Sequence, residues 1–170
     1  MTNSWSAFML GLVWLAGLAG AGEAADLEFD PDSGDTVTLT LKGSTITYRA
    51  YENVPYVSRP ADAKLQVMNI YIPKPYFEGG TVDGYTAETA PIFFPNTVGG
   101  YFPGEPGGPG EDRDGNPNAS FLALSRGYVV ASPGVRGRTT QDEAGRYTGK
   151  APACIVDLKA AVRYLHHNDK

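Results

Sequence analysis

Between Thr36 and Ala50, apolar and polar side chains alternate with a period of two. Val37, Leu39 and Leu41 interleave with Thr36, Thr38 and Thr40. After a break at Lys42-Gly43, Ile46, Tyr48 and Ala50 interleave with Thr45, Thr47 and Arg49. This pattern predicts a β-hairpin with one polar face, at the antiparallel edge of a sheet. Val54 to Val57 predicts a further short strand. Leu65 to Ile72 predicts a stronger one, stopped by Pro73 and Pro75. A loop from Tyr76 to Thr89 follows.

From residue 90 the pattern changes. Ile92 to Phe94 is a short apolar run ending at Pro95, which reads as a buried strand. Gly99 to Gly115 is a long loop containing Gly107-Gly108 and Gly110, and a loop of that length in a compact domain is functional or mobile. Asn116-Pro117 predicts a helix start, with Asn as N-cap and Pro at the first helical position. The helix carries Phe121, Leu122 and Leu124 and stops at Gly127. Tyr128 to Ala131 is a second fully apolar strand, ended by Pro133-Gly134. A polar loop, Val135 to Gly149, holds Arg136, Arg138, Asp142, Glu143 and Arg146. The last element is a helix over Pro152 to Asn168. On it Ile155, Leu158, Val162 and Leu165 form one stripe, with Asp157, Lys159 and Arg163 off the stripe. His166 and His167 fall in its last turn, where a partly positive imidazole suits the helix dipole. Strand, loop, helix, strand, loop, helix implies βαβ units and a parallel sheet. Joined to the antiparallel start, this predicts a mixed α/β fold.

Residues 1–25 are set aside from that fold. Ala7 to Gly22 is apolar and uncharged, and Gly22-Glu23-Ala24-Ala25 places small residues at cleavage spacing, although Met1 to Ser6 has no Lys or Arg. The stretch is short and glycine-rich for a spanning helix, which needs about 20 apolar residues. It predicts a cleaved signal peptide, with an uncleaved anchor as the alternative, and hence a secreted or periplasmic protein with no stable membrane span after cleavage. Residues 26–170 remain as one domain, which is an ordinary length.

The formal net charge of −5, with no Lys/Arg cluster, argues against a nucleic-acid partner. A single cysteine, Cys154, excludes an internal disulfide and a cysteine-based metal site; a small buried helix position is its expected role. Asp30, Asp32 and Asp35, and separately Asp112 to Asn116, lack the spacing of a calcium loop. The chemistry points instead to Gly99-Gly100. A glycine pair just past a strand end lets backbone N–H groups face outward, unhindered by a Cβ, and such groups can hold a developing oxyanion.

Several stretches together resemble a known family. Pro95-Asn-Thr-Val-Gly-Gly-Tyr101, Arg126-Gly-Tyr-Val-Val130, Gly134-Val-Arg-Gly-Arg-Thr-Thr140 and Ala151 to Leu165 are similar to bacterial tannases and the related feruloyl-esterase-like proteins, and Tyr51 to Pro73 also fits. The resemblance spans most of residues 45–170 and includes loop residues as well as apolar pattern. It implies the N-terminal part of an α/β-hydrolase fold. It also implies a serine ester hydrolase with a Ser–Asp–His triad, acting on small aromatic esters, galloyl or hydroxycinnamoyl, without a metal or organic cofactor. In such enzymes one oxyanion N–H comes from the residue after the nucleophile and the other from the loop after the third strand. That loop is Asn96 to Tyr101 here, so the resemblance assigns Gly100, with Gly99 beside it. Asn96 stands where many esterases carry the His of a His-Gly-Gly-Gly motif. Tyr101 and Phe102 are candidates to contact an aromatic acyl group, or to pack under the loop.

No triad residue is assignable. There is no G-x-S-x-G; Ser125 ends a helix, and Ser132 is followed by Pro133, which has no N–H to offer. The triad is expected beyond Lys170, so the chain reads as an N-terminal fragment, truncated before the nucleophile elbow. Alone it is expected to be inactive and poorly soluble, because half a parallel sheet leaves an open edge. The alternatives are a serine peptidase on the same fold, or a non-catalytic secreted binding module.

Overall fold

The computed structural model describes residues 24–169. Almost all of the segment read as a signal peptide therefore lies outside the described residues. Strands β1 (Asp35–Leu41) and β2 (Ser44–Pro55) form the expected antiparallel hairpin around Lys42-Gly43. Both turn residues have positive φ, 48° and 82°, the backbone that a two-residue hairpin turn favours. On the polar face, Thr38–Thr47 and Thr40–Thr45 pair their hydroxyls at 3.0 and 2.8 Å. The residues expected to start a separate strand at Val54 instead prolong β2. A bulge between Tyr51 and Val54 absorbs the change of register, and Asn53 there takes φ 57° and donates its N–H to Asn69 Oδ1.

Strand β3 (Val67–Pro73) pairs antiparallel with β2 and runs into a 3-10 turn over Lys74–Glu78. Strand β4 (Ile92–Phe93), helix α1 (Ala119–Ser125) and strand β5 (Val129–Pro133) complete a parallel β4–β5 pair. Helix α2 (Ala153–His167) follows. The sheet order is β1-β2-β3-β5-β4, with β5 antiparallel to β3. Antiparallel start and parallel continuation agree with the expected mixed sheet.

Alternation along the strands divides the core between two faces. Met68, Ile70 and Ala131 pack with Tyr51, Tyr56, Ala161 and Tyr164, on the α2 side. Tyr71 and Val130 pack with Tyr48 and Leu124, on the α1 side, where Tyr48 and Tyr71 meet edge to face at 5.6 Å. Residue i faces one helix and residue i+1 the other, as the pleat requires.

Three expectations are corrected. Ile92–Phe94 is not a buried strand: β4 is two residues long, lies at the sheet edge and leaves Ile92 48% exposed. Helix α1 is capped by Asn118 rather than Asn116; its side chain accepts the Phe121 N–H at 2.9 Å, satisfying a donor that the first turn leaves unpaired. On α2 the buried positions are Cys154, Asp157, Ala161 and Tyr164, one residue round from the expected stripe. Ile155 and Val162 of that stripe are exposed.

Cys154 is buried, as expected. Burial, and then the nearby Asp157 carboxylate, raise its thiol pKa. A raised pKa means less thiolate at a given pH, so the folded protein should react with Ellman's reagent at pH 8 far more slowly than after unfolding in urea. Fast stoichiometric labelling without denaturant would contradict the packing of α2.

Candidate functional site

Strands β4 and β5 are parallel, so their carboxyl ends open on the same edge of the sheet. The loops from Phe94 and from Gly134 both leave there, at the end of an α/β sheet where ligands bind. These two loops are zipped together. Gly104 and Val135 exchange both backbone hydrogen bonds, at 3.1 and 2.8 Å. Further out, the Arg138 N–H donates to Tyr101 C=O at 2.6 Å. The Arg138 guanidinium lies over the Phe102 ring, 4.2 Å from its centroid.

The four predicted site residues sit at the tip of the first loop. Gly99 to Phe102 is a tight turn, closed by the Phe102 N–H on Gly99 C=O at 3.1 Å. Gly100 and Tyr101 take φ 59° and 60° in succession. For Tyr101 that left-handed backbone costs about 1–2 kcal/mol, and it is held by neighbouring contacts such as the bond to Arg138. The Gly99 and Gly100 N–H groups make no hydrogen bond among the described residues, and both glycines are exposed. Tyr101 and Phe102 are 55% and 47% exposed, so neither packs under the loop. The turn thus presents three unengaged N–H groups, of Gly99, Gly100 and Tyr101, beside two accessible aromatic rings.

Beneath it lies a polar cluster that sequence reasoning missed. Asp157 is 1% exposed and accepts four hydrogen bonds. Its Oδ2 accepts from Arg136 N–H at 3.0 Å and Arg136 Nε at 2.9 Å; its Oδ1 accepts from Arg136 Nη2 at 2.7 Å and Gln66 Nε2 at 2.9 Å. Arg136 Nη1 donates to Thr148 C=O at 3.0 Å. The hydrogen bonds to Asp157 raise the Arg136 pKa further, keeping the guanidinium charged. Between Arg136 and Arg138, Gly137 is buried. A Cβ there would overlap the backbone of Phe102 and Pro103, and one on Gly149 would overlap Gly137. Tyr56 donates its hydroxyl to Gly134 C=O at 2.6 Å, fixing the start of the second loop.

Ser132, Ser125 and His167, discounted from sequence, are engaged with other partners. Ser132 is buried and accepts the Gly107 N–H at 2.9 Å; Ser125 donates to Leu122 C=O. His167 Nε2 is 3.1 Å from Glu28 Oε1, on the lead-in segment. A groove of about 440 Å³ between that segment and α2, lined by Leu27, Tyr56 and Tyr164 among others, includes none of Gly99 to Phe102. Among the described residues no helix is long and apolar enough to cross a membrane, and no cluster of three or more acidic, His or Cys side chains is placed to hold a metal ion.

Solved structures show what the chain is similar to. The tannase of Fusobacterium nucleatum is 55% identical and superposes with a TM-score of 0.84, over 85% of this chain and 30% of that one. The chain is tannase-like. A tannin acyl hydrolase from Lactobacillus plantarum is 44% identical, with a TM-score of 0.74, over 84% of this chain and 31% of its own. A tannin acyl hydrolase solved in complex with ethyl gallate is 46% identical, with a TM-score of 0.76, over 84% of this chain and 32% of its own. No family model matches the chain, and no curated protein matches it. The tannase-like chain spans about a third of the length of the tannases it matches.

Proposed function

We propose that this chain is the N-terminal part of an α/β-hydrolase-fold serine esterase that cleaves galloyl esters, with hydroxycinnamoyl esters as a second substrate class. The observation that carries this reading is 44–55% identity to tannases over 84–85% of the chain. Related tannin acyl hydrolases have been solved with ethyl gallate and with 3,4-dihydroxybenzoate, both small aromatic molecules. The order β2-β3-β5-β4, with β3 antiparallel to both its neighbours and β4 parallel to β5, fits the start of such a fold.

In this reading α2 leads to a further strand, parallel to β4 and at its free edge, and a G-x-S-x-G elbow follows that strand. The exposed Ile92, Ile155 and Val162 support it, since they would be covered by the added layer. The nucleophilic serine attacks the ester carbonyl, the alcohol leaves with a proton from the histidine, and water hydrolyses the acyl-enzyme. The Gly100 N–H, with Gly99 beside it, holds the oxyanion in both steps, while Tyr101 and Phe102 flank the aromatic acyl ring. Residues 1–25 direct secretion or export to the periplasm and are removed.

The test is to read the coding frame past codon 170, express the whole product and assay gallate release from ethyl gallate. A strand pattern and then G-x-S-x-G within about 10–25 residues is expected, because the elbow follows its strand directly. Amino-terminal sequencing of exported protein should begin near residue 26. A stop codon after Lys170, or a pure full-length product inert towards both ester classes, would sink the proposal.

A further inference from the structure

The Gly99–Phe102 turn does not determine its own shape. Only the Phe102 N–H to Gly99 C=O bond closes it internally, and two successive residues sit at positive φ. What holds it comes from the loop after β5. Arg138 reaches it twice, through its N–H to Tyr101 C=O and through its guanidinium over Phe102. Arg138 is itself fixed from behind. Gly137 is wedged against Phe102 and Pro103, and Arg136 is bound to Asp157 by its backbone N–H and by two guanidinium nitrogens. A continuous run of contacts therefore links buried Asp157 on α2 to the turn that carries the Gly99 and Gly100 amides.

We propose that Arg138 is a positioning residue for the Gly99 and Gly100 amides. This rests on the esterase reading above. Arg138 touches neither the scissile bond nor a group that exchanges protons with it. It acts by pinning Phe102 and Tyr101, so that the amides between Val98 and Tyr101 point in one direction. Amides so held pay no reorganisation cost when the oxyanion forms, which is the condition for such donors to lower the barrier. The stacking is a cation–π contact at the surface, a modest interaction. Its consequence is geometric, since displacement of a catalytic group by about 1 Å can cost about 100-fold in rate.

The experiment uses the full-length esterase with Arg138→Met, of similar length without the charge, and Arg138→Lys, which keeps a cation over the ring. Arg138 is exposed, so both variants should keep the wild-type melting temperature. With ethyl gallate, Arg138→Met is expected to lower kcat by roughly 10- to 100-fold with KM within about twofold, and Arg138→Lys to recover most of that loss. A Phe102→Leu variant should lose at least as much kcat and also raise KM, because Phe102 flanks the acyl ring too, and adding Arg138→Met to it should cost little more, because the contact between the two is already gone. Arg138→Met with unchanged kcat overturns the proposal. So does a loss confined to KM, which would make Arg138 a substrate contact, or a lowered melting temperature, which would make it structural. A wild-type enzyme without activity on galloyl esters overturns the esterase reading first, before any variant is compared, and this proposal falls with it.

Discussion

Gly137→Ala is expected to destabilise the protein by about 3 kcal/mol and to reduce galloyl-ester turnover by about 100-fold. The added Cβ would meet backbone atoms of Phe102 and Pro103, not the end of a mobile side chain. No rotamer change relieves such an overlap; the two loops must separate. Overpacking alone costs about 1–3 kcal/mol. Separation also strains the Arg138–Tyr101 and Gly104–Val135 backbone bonds, worth about 1 kcal/mol each. Retreat on the other side is blocked, because Gly149 packs against Gly137 with no room for a Cβ of its own. Turnover falls because the turn that moves is the one carrying the Gly99 and Gly100 amides. Urea unfolding of the full-length protein, with the assay run on the folded variant, checks both parts. A loss of stability under about 1 kcal/mol would mean that the loops are not packed as tightly as described.

How far the sequence could be read depends on the range of the interactions involved. The β1–β2 hairpin was fully legible, because period-two alternation and a Lys-Gly break are local signals. The Gly99-Gly100 turn is legible as a turn, whereas the sequence leaves open whether Tyr101 and Phe102 contact an acyl group or pack under the loop, and the fold leaves both rings exposed. The apolar stripe of α2 differs from its buried face by one residue because apolarity is not a sufficient sign of burial. Asp157 lies off the apolar stripe, yet it is buried on the inner face, where Arg136 and Gln66 satisfy it. A charged side chain is buried only when it is paired, and its partners here are 21 and 91 residues away in sequence. Ile92 failed in the opposite sense. An apolar run of three residues resembles a buried strand, but whether it lies inside or at the edge depends on what pairs with its far side. Arg138 stood in view within Gly134-Val-Arg-Gly-Arg-Thr-Thr140, but only the fold sets that loop against Phe102.

Asp157→Asn should cost about 3–5 kcal/mol, although it changes neither shape nor volume. A carboxylate offers acceptor sites only, and here all four hydrogen bonds reach it from donors: three from Arg136 and one from Gln66. An amide has one acceptor oxygen and one donor NH2. In either orientation, one pair of donors loses its acceptor and faces N–H groups instead. With Oδ2 replaced, the Arg136 N–H and Nε are stranded; with Oδ1 replaced, Arg136 Nη2 and Gln66 Nε2 are. The guanidinium, with only 13% of its side chain exposed, also loses its counter-charge. Removing one partner of a buried pair costs about 3–5 kcal/mol, chiefly because the other is left uncompensated. Arg136→Met combined with Asp157→Leu removes both charges and should recover part of this loss. Recovery should stop short of wild type, because the residue-136 N–H, the Gln66 amide and Thr148 C=O all lose the partners they have now. If instead the single Asn variant unfolds at the wild-type urea concentration, the pair is not what anchors the second loop, and the rigidity of the Gly99–Phe102 turn must come from the Gly104–Val135 bridge, the Arg138 contacts and the packing of Gly137.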